Sequence, residues 1–326
     1  MIKNQWYGVM DAKEIKKGKI TVARRVGELL ALYRDTKGVV CCVADQCAHR
    51  GAGLHLGKIL GDHIECPFHG LQYDKTGRCK VIPANGYNTP VPSQFQVKGY
   101  PVREEHGFIW LWWGDGRDAY PEIKFFPDLD HSFSYGTVAD PWKIHYSRAI
   151  ENQLDVAHLP FVHYNTIGRG NRRLVNGPIV LLEDDNLRLW SNNQVDDGKT
   201  IPLKAEQMVK SDSSASLHFI YPNKWQLHIA DKMRIMVVFA PVDEENTILY
   251  LRYYQKFVTT PVLKNFVSFM GSKSNLVVAH QDRRIVETQI PKKSDLHMDE
   301  KLFQADNPII QYRKHRKELQ EKSIGL

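Results

Sequence analysis

No apolar run of about 18 residues, the length that reads as a membrane-crossing helix, occurs in the 326-residue chain. The opening stretch MIKNQWYGVMDAKEIKKGK lacks the apolar core of a signal peptide, so the expected location is cytoplasmic, with no membrane partner. No nicotinamide or flavin fingerprint is present, which excludes a self-sufficient reductase. There is no internal repeat and no low-complexity tract. The net charge of +7 is modest for this length, and no nucleic-acid motif with interleaved aromatics accompanies it, so nucleic acid is not an expected partner. Cysteine is scarce as well. Cys41, Cys42, Cys47, Cys66 and Cys79 are the full set of five. An odd number, clustered in the first quarter of the chain, argues against a disulfide framework and for metal ligation at one local site.

What remains is an ordinary globular composition, 42% hydrophobic and 25% charged, in a chain long enough for two domains. Two basic stretches, KEIKKGKITVARR and QYRKHRKELQEK, carry much of the excess charge. They read as a solvated face and a frayed terminal helix, or as a docking surface for an acidic protein. The first 115 or so residues show short strands with turn punctuation, including a hairpin signal at Asp74–Gly77. A Gly-, Pro- and Asp-rich linker is placed near Gly114 to Pro127. Beyond it the pattern is mixed: a short helix around Asn152 to Leu159, strand-like segments between residues 178 and 257, and a helical region from Pro261 to Thr288. The expected fold class is α+β, with a small all-β domain over 1–118 and a strand meander with helices on one face over 119–326.

Two constellations carry chemistry. The segment CAHRGAGLHLGKILGDHIECPFHG sets Cys47 two positions before His49, and Cys66 three before His69. Two thiolates and two imidazoles suit a zinc ion or a two-iron cluster, and ligand identity alone does not choose. The mixed C-x-H pair suits a cluster that takes ligands from both loops. His55 and His63 fall outside the pattern and read as surface or packing residues, and Cys41, Cys42 and Cys79 as small strand fillers.

The second constellation, ENQLDVAHLPFVH, gives Asn152, Asp155, His158 and His163. On a helix Asp155 and His158 would share a face, and Pro160 is expected to break that helix and swing His163 back toward His158. Two histidines and a carboxylate leave three positions open on a non-haem iron. The carboxylate must come from downstream. In NLVVAHQDRRIVETQ, Asp282 falls on the apolar stripe with Val278, Ile285 and Val286, whereas Glu287 falls beside Arg283 and Arg284 in an ordinary surface ion pair. Trp225, His228, Met233 and Met236 are candidate pocket lining, with plain packing the simpler reading of each.

The first segment resembles the Rieske [2Fe–2S] motif, C-x-H, sixteen residues, C-x₂-H. N-x-x-D-x-x-H-x-x-x-x-H resembles the mononuclear-iron motif of Rieske oxygenases, and D-x-x-x-V-E their C-terminal helix. One departure is Leu71, where the oxygenase branch usually has Trp. The resemblance implies a Rieske domain followed by a helix-grip catalytic domain in a homotrimer. Cys47, His49, Cys66 and His69 would bind the [2Fe–2S] cluster, and His158, His163 and Asp282 would bind Fe(II). Asp155 and Asn152 are the implied catalytic pair, Asp155 linking His158 to His69 of the partner subunit. A separate ferredoxin or NAD(P)H-dependent reductase would supply electrons for O₂-dependent hydroxylation or demethylation of a small, aromatic organic substrate. A cis-dihydroxylating dioxygenase and a non-catalytic electron carrier are the alternatives.

Overall fold

The computed structural model describes residues 1–209, 216–323 and 325. The fold class is α+β. The chain divides into two compact units. One comprises Asn4–Ala119 with Pro241–Asp243, the other Met1–Lys3, Tyr120–Ala240 and Glu244–Leu326.

The first unit is built from ten short strands: β1 (Gln5–Asp11), β2 (Thr21–Arg25), β3 (Glu28–Arg34), β4 (Val40–Ala44), β5 (Lys58–Leu60), β6 (His63–Glu65), β7 (Gln72–Tyr73), β8 (Cys79–Val81), β9 (Val102–Glu105) and β10 (Phe108–Trp113). They form three antiparallel sheets, ordered β1-β10-β9, β2-β3-β4 and β5-β6-β7-β8. Strand β10, FIWLWW, has no alternation because residues on both of its faces are covered, five of its six being buried. Each such side chain contributes about 1.5–3 kcal/mol on leaving water. A second cluster joins Tyr33, Val43, Leu54, Ile64 and Tyr73 to Cys47 and Cys66, so the two cluster-motif cysteines grow directly out of this core. Leu71, the departure from the oxygenase pattern, fills part of that core at 2% exposure.

The second unit is a seven-stranded antiparallel sheet ordered β11-β17-β16-β15-β14-β13-β12, with ranges β11 (Ser134–Trp142), β12 (Leu174–Glu183), β13 (Asn186–Gln194), β14 (Leu217–Ile220), β15 (Lys224–Ala230), β16 (Met233–Pro241) and β17 (Thr247–Gln255). Its helices are α1 (Tyr146–Leu154), α2 (Leu159–Val162), α3 (Pro261–Val286) and α4 (Asn307–Lys322). The stretch PIVLLEDDNLRLWS is a hairpin of two strands. Asp184 and Asp185 both adopt positive φ, which matches a two-residue turn to the strand twist. Helix α3 packs along β11 and β17.

The basic C-terminal stretch is not a frayed, solvated helix. Arg313 and Arg316 of α4 are buried. Arg313 pairs with buried Glu151 at 2.8 Å and with Glu300 at 2.7 Å, while Arg148 pairs with the same two carboxylates. Countercharge on α1 draws Arg313 inward, and Arg316 donates to the Ser294 carbonyl (2.8 Å), which positional patterning along α4 cannot reveal. Among the described residues, no helix is long and apolar enough to cross a membrane.

Candidate functional site

The two Cys-His loops have the same backbone plan. In the first, Cys47 N–H donates to the Ala52 carbonyl (2.9 Å) and the Cys47 carbonyl accepts from Gly51 N–H (2.9 Å). In the second, Cys66 N–H donates to the Leu71 carbonyl (2.8 Å) and the Cys66 carbonyl accepts from Gly70 N–H (3.1 Å). The closing glycine of each loop lies at positive φ, 73° for Gly51 and 72° for Gly70, a conformation only glycine adopts cheaply. Both cysteines are buried, and both histidines are exposed with ring centroids 4.6 Å apart. Thiols therefore sit at the core side of the loops and imidazoles at the solvent side.

Supporting contacts surround these loops. The Cys47 sulfur lies 3.1 Å from the Tyr73 hydroxyl, which also accepts from Ala48 N–H at 3.2 Å. Burial pushes the Cys66 thiol and the Tyr73 phenol upward in pKa. His55, outside the motif, has a definite partner: the carboxylate of buried Asp45 takes both its backbone N–H (2.7 Å) and its ring Nδ1 (2.5 Å). Among the described residues, the group of candidate ligands whose donor atoms converge on one point lies elsewhere.

That convergent group is His158, His163 and Asp282. Helix α1 stops at Leu154, and Asp155 is extended (φ −73°, ψ 125°), so the helix expected around Asn152 to Leu159 is interrupted: Asn152–Leu154 close α1 and Leu159 opens α2. Asp155 instead accepts from Ala157 N–H at 2.7 Å and holds its other oxygen 3.7 Å from His158 Nδ1. Pro160 does not break a helix. It lies in the first turn of α2, where a missing N–H costs nothing, with His158 as N-cap and His163 as C-cap. One short turn of helix thereby sets the two imidazoles 5.2 Å apart.

Asp282 enters from α3, 3% exposed. Its Oδ1 is 3.0 Å from His163 Nε2 and 3.4 Å from His158 Nε2, yet it makes no hydrogen bond. Burial opposes charge on His158, but the Asp155 and Asp282 carboxylates overcome it and push the imidazole up to about 9. Burial likewise opposes charge on Asp282, and the two imidazoles outweigh it, holding the carboxyl near 2. Two imidazole nitrogens facing a buried carboxylate oxygen without a hydrogen bond make a three-donor set that a divalent ion would complete, displacing the histidine proton. Glu287 is not paired with Arg283 or Arg284. It accepts from Lys143 N–H at 2.7 Å, while Arg283 pairs with buried Asp140.

Two glutamines that sequence reasoning missed complete the surroundings: Gln281 accepts from His163 Nδ1 (2.8 Å), and Gln153 donates to Asp282 Oδ2 (3.3 Å). Asn152 has a buried Nδ2 without a hydrogen bond and does not line the cavity beside the three donors. That cavity, of about 710 Å³, is walled by Leu217, Trp225, Leu227, Ile235, Val237 and Leu251. Of the four sequence candidates for lining, only Trp225 is there. Strand alternation decides this: Trp225 pairs with Val237 and Leu227 with Ile235, so the even-numbered His228 and Met236 face away, and Met233 sits past the register shift beyond His228.

Residues 5–101 match the Rieske [2Fe–2S] domain, and residues 142–322, more than half the chain, match the vanillate O-demethylase oxygenase C-terminal domain. The methylxanthine N1-demethylase of Pseudomonas putida is 29% identical over 302 residues, covering 85% of this chain and 76% of that protein. The chlorophyllide a oxygenase of Chlamydomonas reinhardtii is 33% identical over 169 residues, covering 52% of this chain and 26% of that protein. Several curated relatives are thus matched over only about half of their length or less. The structure of the Pseudomonas putida demethylase superposes with a TM-score of 0.77 at 24% identity over 98% of this chain and 90% of that one. Dicamba monooxygenase superposes with a TM-score of 0.71 at 17% identity, over 100% and 99%. The chain therefore belongs to the Rieske non-haem iron oxygenases of the vanillate O-demethylase type, a family whose Rieske domain binds a [2Fe–2S] cluster and whose catalytic domain binds mononuclear Fe(II).

Proposed function

We propose that this protein is a terminal oxygenase that takes electrons from a separate ferredoxin or reductase and uses O₂ to hydroxylate or oxidatively demethylate a small aromatic substrate. Cys47, His49, Cys66 and His69 hold the cluster in the domain of residues 1–118, and His158, His163 and Asp282 hold the iron in the domain of residues 119–326. The working form is a cytoplasmic homotrimer. The observation that carries the reading is the convergence of the His158, His163 and Asp282 donor atoms within 4.8 Å of one another at the edge of a cavity of about 710 Å³. A volume of that order suits a compact ring system. The printed names of relatives, a methylxanthine demethylase and a toluene-4-sulfonate monooxygenase subunit, support the same substrate class.

When bound, the cluster supplies single electrons and the iron supplies dioxygen activation at positions its three ligands leave open. The rest falls to the chain. The apolar strand walls hold a flat substrate and exclude water, while Arg169 and Arg172 line the same cavity as its cationic groups. Asp155, 3.7 Å from His158 Nδ1, orients that imidazole and stabilises its N–H as electron density changes at the metal. Asn152 is assigned a supporting role beside it, on the strength of its motif position.

The test is reductase-dependent O₂ uptake on a panel of aromatic acids, methoxyarenes and N-methylated heterocycles, with formaldehyde measured alongside. Uptake with stoichiometric formaldehyde supports demethylation, and a cis-diol product would replace that reading with ring dihydroxylation. His158→Ala is expected to abolish turnover while the reduced-cluster EPR signal persists. Turnover at the wild-type rate in that variant would sink the assignment.

A further inference from the structure

We propose that Gln153 and Gln281 are positioning residues that make two of the three iron ligands, Asp282 and His163, each present a single donor atom. The proposal rests on the reading of His158, His163 and Asp282 as the mononuclear site. Gln281 immediately precedes Asp282 on α3, yet its amide turns to the other ligand arm. Its Oε1 accepts from His163 Nδ1 (2.8 Å) and from the Thr166 hydroxyl (2.8 Å), and its Nε2 donates to Asn165 Oδ1 (2.9 Å). The bond from Nε2 to Asn165 Oδ1 sets the amide orientation, the Thr166 hydroxyl is compatible with it, and that orientation requires the hydrogen of His163 to sit on Nδ1. The Nε2 lone pair is then left facing Asp282 Oδ1, 3.0 Å away. An amide is neutral at every working pH, so it fixes the tautomer and the ring plane without the added basicity a carboxylate partner would confer.

Gln153 does the complementary job on the carboxylate. It is the last residue but one of α1, and its Nε2 donates to Asp282 Oδ2 at 3.3 Å. Oδ2 is thereby occupied, and Oδ1 alone lies between the two imidazoles, buried and without a hydrogen bond. With its second oxygen held by Gln153, the carboxylate would favour binding a metal through Oδ1 alone over chelating it. Each of these two ligands thus has its own outer partner, His163 with Gln281 and Asp282 with Gln153, as His158 has Asp155.

Cobalt(II) is the probe, added to the full-length protein carrying its oxidised cluster and stripped of mononuclear metal. Affinity is read by equilibrium dialysis, and coordination number by the cobalt K-edge pre-edge intensity, which falls as ligands are added and is not obscured by the cluster. One cobalt per chain is expected for the wild type. Gln281→Leu should weaken binding by about 10- to 100-fold, whereas Gln281→Glu, which keeps an acceptor for His163 and Thr166, should stay within a few fold of wild type. Gln281→Met serves if the leucine variant does not fold. Gln153→Leu should bind cobalt nearly as well as wild type but with a weaker pre-edge feature, because the freed oxygen of Asp282 joins the metal. Wild-type affinity in both Gln281→Leu and Gln281→Met, or equal loss in Gln281→Glu, overturns the role of Gln281; an unchanged pre-edge in Gln153→Leu overturns that of Gln153. If the wild type binds no cobalt, the mononuclear-site reading itself fails and takes the proposal with it, an outcome distinct from the other two.

Discussion

Removing one hydroxyl should change the redox potential of the cluster by a measurable amount. The Tyr73 oxygen lies 3.1 Å from Cys47 Sγ, and burial holds its phenol above the ordinary tyrosine pKa, so it stays protonated and would donate to the thiolate of Cys47, the proposed cluster ligand. A hydrogen bond to a charged group is worth about 1.5–3 kcal/mol. Only the part that grows when the cluster gains an electron affects the potential, and a growth of about 1 kcal/mol is a fair share of that energy. With about 1.4 kcal/mol per 59 mV for a one-electron couple, Tyr73→Phe should lower the potential by ~40 mV. The direction follows because the lost donor stabilised the more negative, reduced state. Stability should fall only slightly, since Ala48, the other partner of the hydroxyl, is exposed and water can replace its acceptor. The assay is a dye-mediated titration followed by the EPR signal of the reduced cluster. A potential unchanged from wild type, with the cluster fully loaded, would refute the claim that this hydroxyl bonds a ligating sulfur.

Other expectations follow from the same geometry. Glu151→Gln removes the charge that pairs buried Arg148 and Arg313 and should cost about 3–5 kcal/mol in denaturant unfolding, with a loss under 1 kcal/mol contradicting the network. Gly70→Ala forces a side chain into positive φ with its Cβ 3.1 Å from the Pro83 ring, so cluster content per chain should drop, and full loading would show that the loop tolerates strain there. Asp185 is held near 2, below its ordinary 3.8, chiefly by its bond to His315 and then by Lys124, against the opposing effect of burial. Its depressed pKa contributes stability above about pH 4 that is lost as the pH falls toward 2. Asp185→Asn should flatten that acid limb of unfolding free energy, and an unaltered limb would assign it to other carboxylates.

The sequence by itself named the groups proposed here to bear chemistry, because ligand chemistry is written in residue type and short spacing. Cys47, His49, Cys66 and His69 needed only local loops of equal length, each closed by a glycine whose positive φ is set within six residues. His158 and His163 were likewise near neighbours, although the reason they approach, a proline-started turn of helix rather than a proline-broken one, was misread from periodicity. Tertiary structure decided the rest. Strand register chose which face of β15 and β16 lines the cavity, admitting Trp225 and turning away His228 and Met236, since a shift of one residue exchanges the two faces. Gln153 and Gln281 gave no signal in the chain because their partners lie 129 and 118 positions away. Arg313 of α4 reads as solvated in the sequence, and only the fold brings it against Glu151, 162 positions away. Hydrogen bonds and ion pairs between distant residues depend on how the backbone brings them together, and no pattern local to either residue encodes that meeting.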